Sequence, residues 1–176
     1  LHIASVSKVL TASAILKLID AKKISLDQKL TTLFDKFPYP DVTIKTLLNH
    51  RSGMKKYNYF CDDKANWGRN KTLTNKDLLE VIINKNIPLE TKTDTHFSYN
   101  NTNYALLALI IEKVTGMKYS QAMKKIIFEP LGMKNTFVFD ETSKINKATP
   151  SYKWNYEIYP FDYLDNVYGD KNIYST

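Results

Sequence analysis

The sequence predicts a mostly helical globular domain with little β-strand. Apolar residues recur at helical spacing in several segments, a single short run has strand character, and no internal repeat or low-complexity linker divides the chain. Of its 176 residues, 43% are hydrophobic and 24% are charged, which is typical of folded globular proteins. We therefore expect one domain built around one core.

The first helical pattern begins near Val6 and continues for about four turns to Lys22 and Lys23. A turn follows over residues 24–27, and a short helical piece is predicted over residues 28–34. The helix is amphipathic, so we expect it to pack one face against the core.

Two capping signals define the next helices. Thr43 can cap a short helix over residues 44–50, and Gly53 is expected to be the left-handed residue that ends it. The Thr-Asn-Lys-Asp run at residues 74–77 predicts a capping box that opens a helix reaching Ile83.

The strongest helical pattern covers Asn101–Thr115 and ends at Gly116. Another helix is predicted to begin at Ser120 and to end at Phe128, just before a proline. Residues 136–139 have the β-branched and aromatic character of a strand.

The net charge of +7 raises the question of a nucleic-acid or membrane partner, but its distribution argues against both. Among 25 basic residues only Arg51 and Arg69 are arginines, and the lysines are spread singly or in pairs. A nucleic-acid footprint would gather on one face and favour the arginine fork. We therefore expect a solvated lysine surface. No segment approaches the roughly 20 apolar residues that a membrane span needs, so we expect no span.

Ser5 and Lys8 are a candidate catalytic pair at the start of the first helix. Residues three apart share a helix face, so the Lys8 amine can reach the Ser5 hydroxyl. A serine hydroxyl becomes a good nucleophile when a base takes its proton, and a lysine amine can be that base. The same spacing recurs at Ser52 and Lys55, where a loop leaves the geometry open. Spacing alone therefore permits both catalysis and chance.

Tyr99 and Asn101 are a second candidate, just before the strongest helix. A phenol near a cation can transfer protons, and an amide side chain can hold a substrate carbonyl. Taken alone, Asn101 as a helix N-cap and Tyr99 as a half-buried aromatic residue explain the pattern equally well.

Five segments, in order, closely resemble the serine β-lactamase and penicillin-binding protein superfamily. They are residues 3–8, 47–54, 97–107, 112–116 and 130–133. The Tyr-x-Asn form of the third segment is similar to the class C β-lactamase-like branch, whereas class A enzymes carry Ser-Asp-Asn. The resemblance implies an α+β fold of the β-lactamase/transpeptidase-like type. Residues 1–176 would form part of that domain, mainly its helical centre, without the N-terminal strands and the C-terminal helix and strands.

The resemblance also implies a role for each candidate residue. Ser5 would be the acylated nucleophile, its own N–H giving half of the oxyanion hole, and Lys8 would be its base partner. Tyr99 would move the proton between Ser5 and the leaving group, while Asn101 would bind the substrate amide and position Lys8. No metal or organic cofactor is implied.

Three departures from the family pattern bear on activity and on turns. The third family motif, a Lys/His–Ser/Thr–Gly triplet, does not occur in these residues, so we expect this chain alone to be inactive or nearly so. Residues 93–94 are Thr-Asp where many relatives have Pro-Gly, and Asn172 stands where Gly is common. Both changes are expected to be mild, since Asn tolerates a left-handed backbone.

The function implied is a serine hydrolase acting through an acyl-enzyme on a β-lactam, a D-Ala-D-Ala-like peptide or an ester, in the cell envelope or outside the cell. A family esterase or D-aminopeptidase using the same residues is one alternative. The other is a non-catalytic module that binds peptidoglycan or a protein partner. The expected partner is a small-molecule or peptide substrate, not a nucleic acid.

His50 and the aromatic residues near the C-terminus are interpreted as structural. His50 belongs to a helix-end pattern and lacks metal-ligand spacing. The aromatic residues are expected mainly to pack an irregular segment, although in the family this segment borders the substrate cleft and some could touch ligand. They are Tyr152, Trp154, Tyr156, Tyr159, Phe161, Tyr163 and Tyr168.

Overall fold

A computed structural model describes residues 1–68, 70–139, 149–160 and 162–176, and within them the chain is mostly helical with little strand, as predicted. The helices are α1 (Ser7–Asp20), α2 (Ile44–Leu48), α3 (Tyr57–Phe60), α4 (Asn75–Asn84), α5 (Asn101–Thr115) and α6 (Tyr119–Met123), the last continuing as a π-helix over Lys124–Phe128. Two short strands, β1 (Phe137–Val138) and β2 (Ile173–Tyr174), pair antiparallel. In the described ranges, none of the helices has both the length and the apolar character to cross a bilayer.

Helix α5 lies at the centre of the fold and packs against α1, α2, α4 and α6. Every residue from 102 to 111 is buried, which explains why this segment has the strongest apolar pattern in the sequence. The predicted bounds are confirmed, and Gly116 ends the helix with a left-handed φ of 68°. The N-cap is Asn100, whose side chain accepts from the N–H of Thr102, so the reading of Asn101 as the cap is wrong.

The end of α2 differs from the prediction. The helix stops at Leu48, and the residue with the left-handed backbone is His50, with a φ of 59°. Gly53 also has a positive φ, of 76°, but it lies in the loop beyond the helix end. A Cβ on Gly53 would stand 2.1 Å from the carbonyl oxygen of Thr91, so close backbone approach is what requires glycine there.

The other predicted elements hold with small shifts. The capping box at Thr74 is present and opens α4. Helix α6 begins one residue earlier than predicted, at Tyr119, and the piece predicted over residues 28–34 is only a 3₁₀ turn over Leu30–Thr32. The N–H of Leu30 donates to the carbonyl of Val42, outside this piece, and the backbone closes as a tight turn instead.

The two ends of the chain meet at β2. Strand β1 pairs with one edge of β2, while the opposite edge bridges to His2 and the carbonyl of Ile173 accepts from the N–H of Ile3. Strand β2 has two residues and no periodicity of its own, so the sequence did not predict it. This pairing brings residues 169–175 against the start of α1.

Most of the aromatic residues near the C-terminus do not pack, contrary to the prediction. Residues 151–159 pair with themselves through a bridge between Tyr152 and Ile158, which leaves their side chains in solvent. Trp154 is 94% exposed and Tyr156 is 88% exposed. Tyr163 and Tyr168 do pack against the core, and Phe161, like Arg69, lies outside the described residues.

We expect Gly169→Ala to destabilise the protein by about 2 kcal/mol more than Gly116→Ala. Both glycines have a positive φ, but a Cβ on Gly169 would lie 2.3 Å from the carbonyl oxygen of Tyr104, whereas a Cβ on Gly116 would have no atom of another described residue within 4 Å. The difference therefore measures how closely residues 169–175 pack on α5. Urea unfolding of the two variants checks it, and equal losses would contradict the packing argument.

Candidate active site

Ser5 and Lys8 come together at the start of α1. A 3₁₀ turn over Ala4–Val6 leads into the helix, and Ala4 itself has a left-handed φ of 45°. The Lys8 ammonium nitrogen Nζ lies 3.4 Å from Ser5 Oγ, as the spacing predicted. Ser5 is exposed while Lys8 is only 6% exposed, so an accessible hydroxyl faces a buried amine.

The Lys8 ammonium is held from three further directions. It donates to the backbone carbonyl of Asp170 at 2.8 Å and lies 4.9 Å from the ring centroid of Tyr99 and 5.7 Å from that of Tyr104. Ring faces attract cations, so both tyrosines favour this location of the charge. The end of the lysine side chain is therefore aimed at Ser5.

Tyr99 and Asn101 flank the N-cap of α5. Tyr99 is 44% exposed and its ring is the one closest to Lys8 Nζ, which places it beside the amine. Asn101 is the first residue of α5, and its Oδ1 atom is buried with no hydrogen-bond partner among the residues that the structure describes. An unpartnered buried acceptor is uncommon and is available to a ligand or a moving side chain.

His50 is buried beside this group and orients the loop that carries Tyr99. Its Nδ1 accepts from the N–H of Asn100 at 3.1 Å, and its backbone carbonyl accepts from the N–H of Ser98 at 2.9 Å. Its ring lies 4.7 Å from that of Tyr99. Burial, together with the nearby charge of Lys8, lowers the pKa of His50 to about 4. A neutral imidazole is what allows Nδ1 to act as an acceptor here.

Asp170 is buried on the inner side of Lys8. Its Oδ2 accepts from the hydroxyl of Tyr57 at 3.0 Å. Burial raises the pKa of the Asp170 carboxyl to about 6, against the lowering effect of Lys171 and Lys8. Burial also raises the pKa of Tyr57 well above its ordinary value.

Two side chains hold the left-handed turns around the site. Asn172 has a φ of 76°, in keeping with the tolerance expected of Asn, and its amide donates to the backbone carbonyls of Asp165 and Val167. Asp94, which stands where the family resemblance predicts Gly, has a φ of 64°. Arg51 binds both the carboxylate of Asp94, at 2.9 Å, and its carbonyl, at 2.7 Å.

The second Ser-x-x-Lys spacing has a different environment. Ser52 is buried, donates to Oδ1 of Asn103 at 2.6 Å and accepts from the N–H of Met54 at 3.3 Å. Its hydroxyl is therefore occupied in supporting α5.

Sequence reasoning missed Asp170 and Tyr104 as neighbours of Lys8, and it missed Tyr57 as the partner of Asp170. Tyr57 and Asp170 are 113 positions apart, and Lys8 and Asp170 are 162 apart, so no local spacing relates them. The available signal was Asn172, which stands where Gly is common in the family and so includes its segment in the resemblance.

Comparisons with known proteins show which family this chain is similar to. The Beta-lactamase family model matches residues 1–176. "Penicillin-binding protein 4*" of Bacillus subtilis (strain 168) is 32% identical over 191 residues, covering 99% of this chain and 42% of the relative. "Teichoic acid D-alanine hydrolase" of Staphylococcus aureus is 28% identical over 178 residues, covering 99% of this chain and 42% of that protein.

A solved structure shows the same fold. The D-amino acid amidase from Ochrobactrum anthropi SV3 superimposes with a TM-score of 0.79 at 28% identity, covering all of this chain and 52% of the amidase. The chain thus spans less than half the length of the curated relatives and about half of this structure. The order of its motifs, its fold and the full-length family match lead to one conclusion: the chain belongs to the beta-lactamase family of serine hydrolases.

Proposed function

We propose that the protein containing this chain hydrolyses a carbonyl substrate through an acyl-enzyme at Ser5. The observation that carries the proposal is the buried Lys8 amine, 3.4 Å from the exposed Ser5 hydroxyl and held by Asp170 and two tyrosine rings. A nucleophile and its base within hydrogen-bond reach, with the base oriented by further groups, is the arrangement that nucleophilic catalysis needs.

The reaction proceeds in two halves. As Ser5 Oγ bonds to the substrate carbonyl carbon, Lys8 in its neutral form takes the hydroxyl proton, and the N–H of Ser5 supports the developing oxyanion. Tyr99, beside Lys8 Nζ, passes a proton to the leaving amine or alcohol as the C–N or C–O bond breaks. Water then attacks the ester, which releases the acid and restores the Ser5 hydroxyl. Asn101 binds the substrate amide in this scheme.

For the substrate we propose a carbonyl next to a D-amino acid centre or its mimic: a β-lactam, a D-Ala-D-Ala-like peptide or a D-amino acyl ester. Support comes from the names of three relatives, a penicillin-binding protein, a teichoic acid D-alanine hydrolase and a D-amino acid amidase. D-Ala-D-Ala-like peptides and D-alanyl esters of teichoic acid are cell-envelope substrates, so we propose that the protein acts in the cell envelope or outside the cell.

We further propose that residues 1–176 are inactive, or nearly so, without further chain. These residues contain no Lys/His–Ser/Thr–Gly triplet, and Ser5 N–H alone supplies one donor to an oxyanion hole that needs two. Assays of function therefore belong on the complete protein.

The test is to treat the complete protein with a fluorescent penicillin and with matched D- and L-alanyl thioester probes, and to map any adduct by mass spectrometry. We expect a covalent adduct on the peptide that contains Ser5, with the D-probe reacting faster than the L-probe. If no carbonyl probe labels the protein, the hydrolase proposal fails and the non-catalytic binding module is supported. Equal reaction of the two alanyl probes would overturn the proposed substrate class alone.

A further inference from the structure

We propose, building on the proposed function, that Asp170 and Tyr57 form a positioning pair, buried behind Lys8. The pair sets the place of the Lys8 ammonium relative to Ser5 and makes acylation respond to the charge on Asp170. Neither residue touches the reacting atoms, so both act through Lys8.

The backbone of Asp170 decides where the ammonium lies. Its carbonyl oxygen accepts from Lys8 Nζ at 2.8 Å, a shorter contact than the 3.4 Å to Ser5 Oγ. The preceding carbonyl, of Gly169, accepts from Thr11 Oγ1 at 2.7 Å, about one turn further along α1. Two successive carbonyls therefore dock this segment on α1, the helix that carries Lys8, and a shift of the Asp170 carbonyl would move the Lys8 ammonium.

The side chain of Asp170 anchors this backbone. The residue is buried, and Oδ2 accepts from Tyr57 at 3.0 Å. The other oxygen, Oδ1, is buried with no hydrogen-bond partner in the described part of the chain. The Tyr57 hydroxyl thus gives the carboxyl a fixed direction, and removing that hydroxyl would leave a buried carboxyl without this anchor.

Asp170 also brings a charge that can change. The groups that face it are the ammonium of Lys8 on α1, the hydroxyl of Tyr57 on α3, Tyr119 on α6 and the adjoining Lys171, which is itself paired with Asp165. Burial raises the pKa of Asp170 to about 6, while Lys171, Lys8 and the Tyr57 hydrogen bond lower it. The carboxyl therefore loses its negative charge as pH falls through about 6, and the attraction it exerts on the Lys8 ammonium is lost with it.

The experiment measures the rate of acylation by a fluorescent penicillin between pH 5 and 8 in the complete protein. We expect the wild-type profile to have an inflection near pH 6 that Asp170→Asn lacks. We expect Tyr57→Phe to slow acylation by roughly 10- to 100-fold, because a small misplacement of a catalytic group is costly. Its inflection should move to higher pH, since the lost hydrogen bond favoured the carboxylate.

Tyr39→Phe is the matched control. It also removes a buried tyrosine hydroxyl, one that donates to the carbonyl of Ile87 instead, and its profile should match that of the wild type. If Asp170→Asn keeps both the inflection and the wild-type rate, the positioning role is overturned. A Tyr57→Phe profile identical to that of Tyr39→Phe would overturn it as well.

A second readout does not depend on activity. The carboxyl carbon of Asp170 is titrated by NMR in protein labelled with ¹³C at aspartate, with Asp170→Asn identifying the signal. In Lys8→Met we expect the pKa of Asp170 to rise, because the ammonium lowers it. If the wild type is never acylated, the proposed function fails. The titration then decides this inference alone: an upward shift supports the coupling of Asp170 to Lys8, and an unchanged pKa overturns it.

Discussion

Ser5→Ala should abolish acylation of the complete protein, and Lys8→Met should slow it by about 10³-fold. The first change removes the atom that forms the acyl bond. The second removes the group that takes its proton, and general base catalysis typically contributes about 10²- to 10⁴-fold. Methionine keeps most of the length and apolar body of the lysine, so the variant tests the amine more than the packing. Stopped-flow acylation with a chromogenic β-lactam measures both rates.

Each variant has a control on the same chain. Ser13→Ala removes a hydroxyl of α1 that donates to the carbonyl of Val9 in its own helix, so acylation should stay within about twofold of wild type. Lys55→Met removes the lysine of the second Ser-x-x-Lys spacing, and its acylation rate should also stay within about twofold of wild type. Lys8→Met acylating at the wild-type rate would exclude Lys8 as the base, and an adduct retained by Ser5→Ala would place the nucleophile elsewhere.

The stability of the protein should respond to acid in opposite directions in His50→Asn and Asp170→Asn. The pKa of His50 is lowered to about 4 from an ordinary value of 6.5, so the folded state resists protonation that the unfolded state accepts. Its contribution to stability is present above pH 6.5 and is lost as pH falls toward 4. Asp170 has a pKa raised to about 6 from 3.8, so folding carries the cost of an ionised buried carboxyl above pH 6, and this cost disappears as pH falls toward 4.

In the wild type the two effects largely cancel, since each amounts to about 3 kcal/mol over its full range. As pH falls from 7.5 to 4.5, we expect the free energy of unfolding of His50→Asn to rise by about 2 kcal/mol relative to that of wild type. Over the same interval, that of Asp170→Asn should fall by about as much. Asparagine suits position 50, because it tolerates the left-handed backbone there and its Oδ1 can accept the N–H of Asn100 in place of Nδ1.

Urea unfolding at the two pH values measures these differences, and comparison with wild type at each pH removes the contributions of other groups. The double variant should show little change relative to wild type if the two sites act independently. If both single variants follow the wild-type pH dependence, burial does not shift the pKa values of His50 and Asp170 as proposed.

Residues close in sequence were well predicted, because hydrogen bonds and side-chain neighbours within a helix are local. The bounds of α5, the capping box at Thr74 and the approach of Lys8 to Ser5 all depend on spacings of three or four residues. The N-cap of α5 and the residue that ends α2 were not predicted correctly. Local sequence does not separate Asn100 from Asn101 as a cap, or His50 from Gly53 as the left-handed residue at a helix end, so tertiary packing decides between them.

The aromatic residues near the C-terminus show a different limit. Composition indicates that a tyrosine or tryptophan can bury a large area, but it does not say whether a surface is present to receive it. Tyr168 stacks on Tyr119, with their ring centroids 6.3 Å apart. Trp154 lies in a segment that bridges to itself between Tyr152 and Ile158, and its side chain stays exposed.

The sequence by itself therefore determined a helical body, a serine and a lysine on one helix face, and a family whose motifs run from residue 3 onward. Only the tertiary structure decided that Asp170 and Tyr57 stand behind Lys8 and that His50 is held neutral. It also decided that Asn101 presents an acceptor without a hydrogen-bond partner among the described residues. The physical reason is distance along the chain. A spacing of three residues is fixed by the helix itself, whereas contacts across 113 or 162 positions exist only once the whole core has packed and excluded water from the groups it brings together.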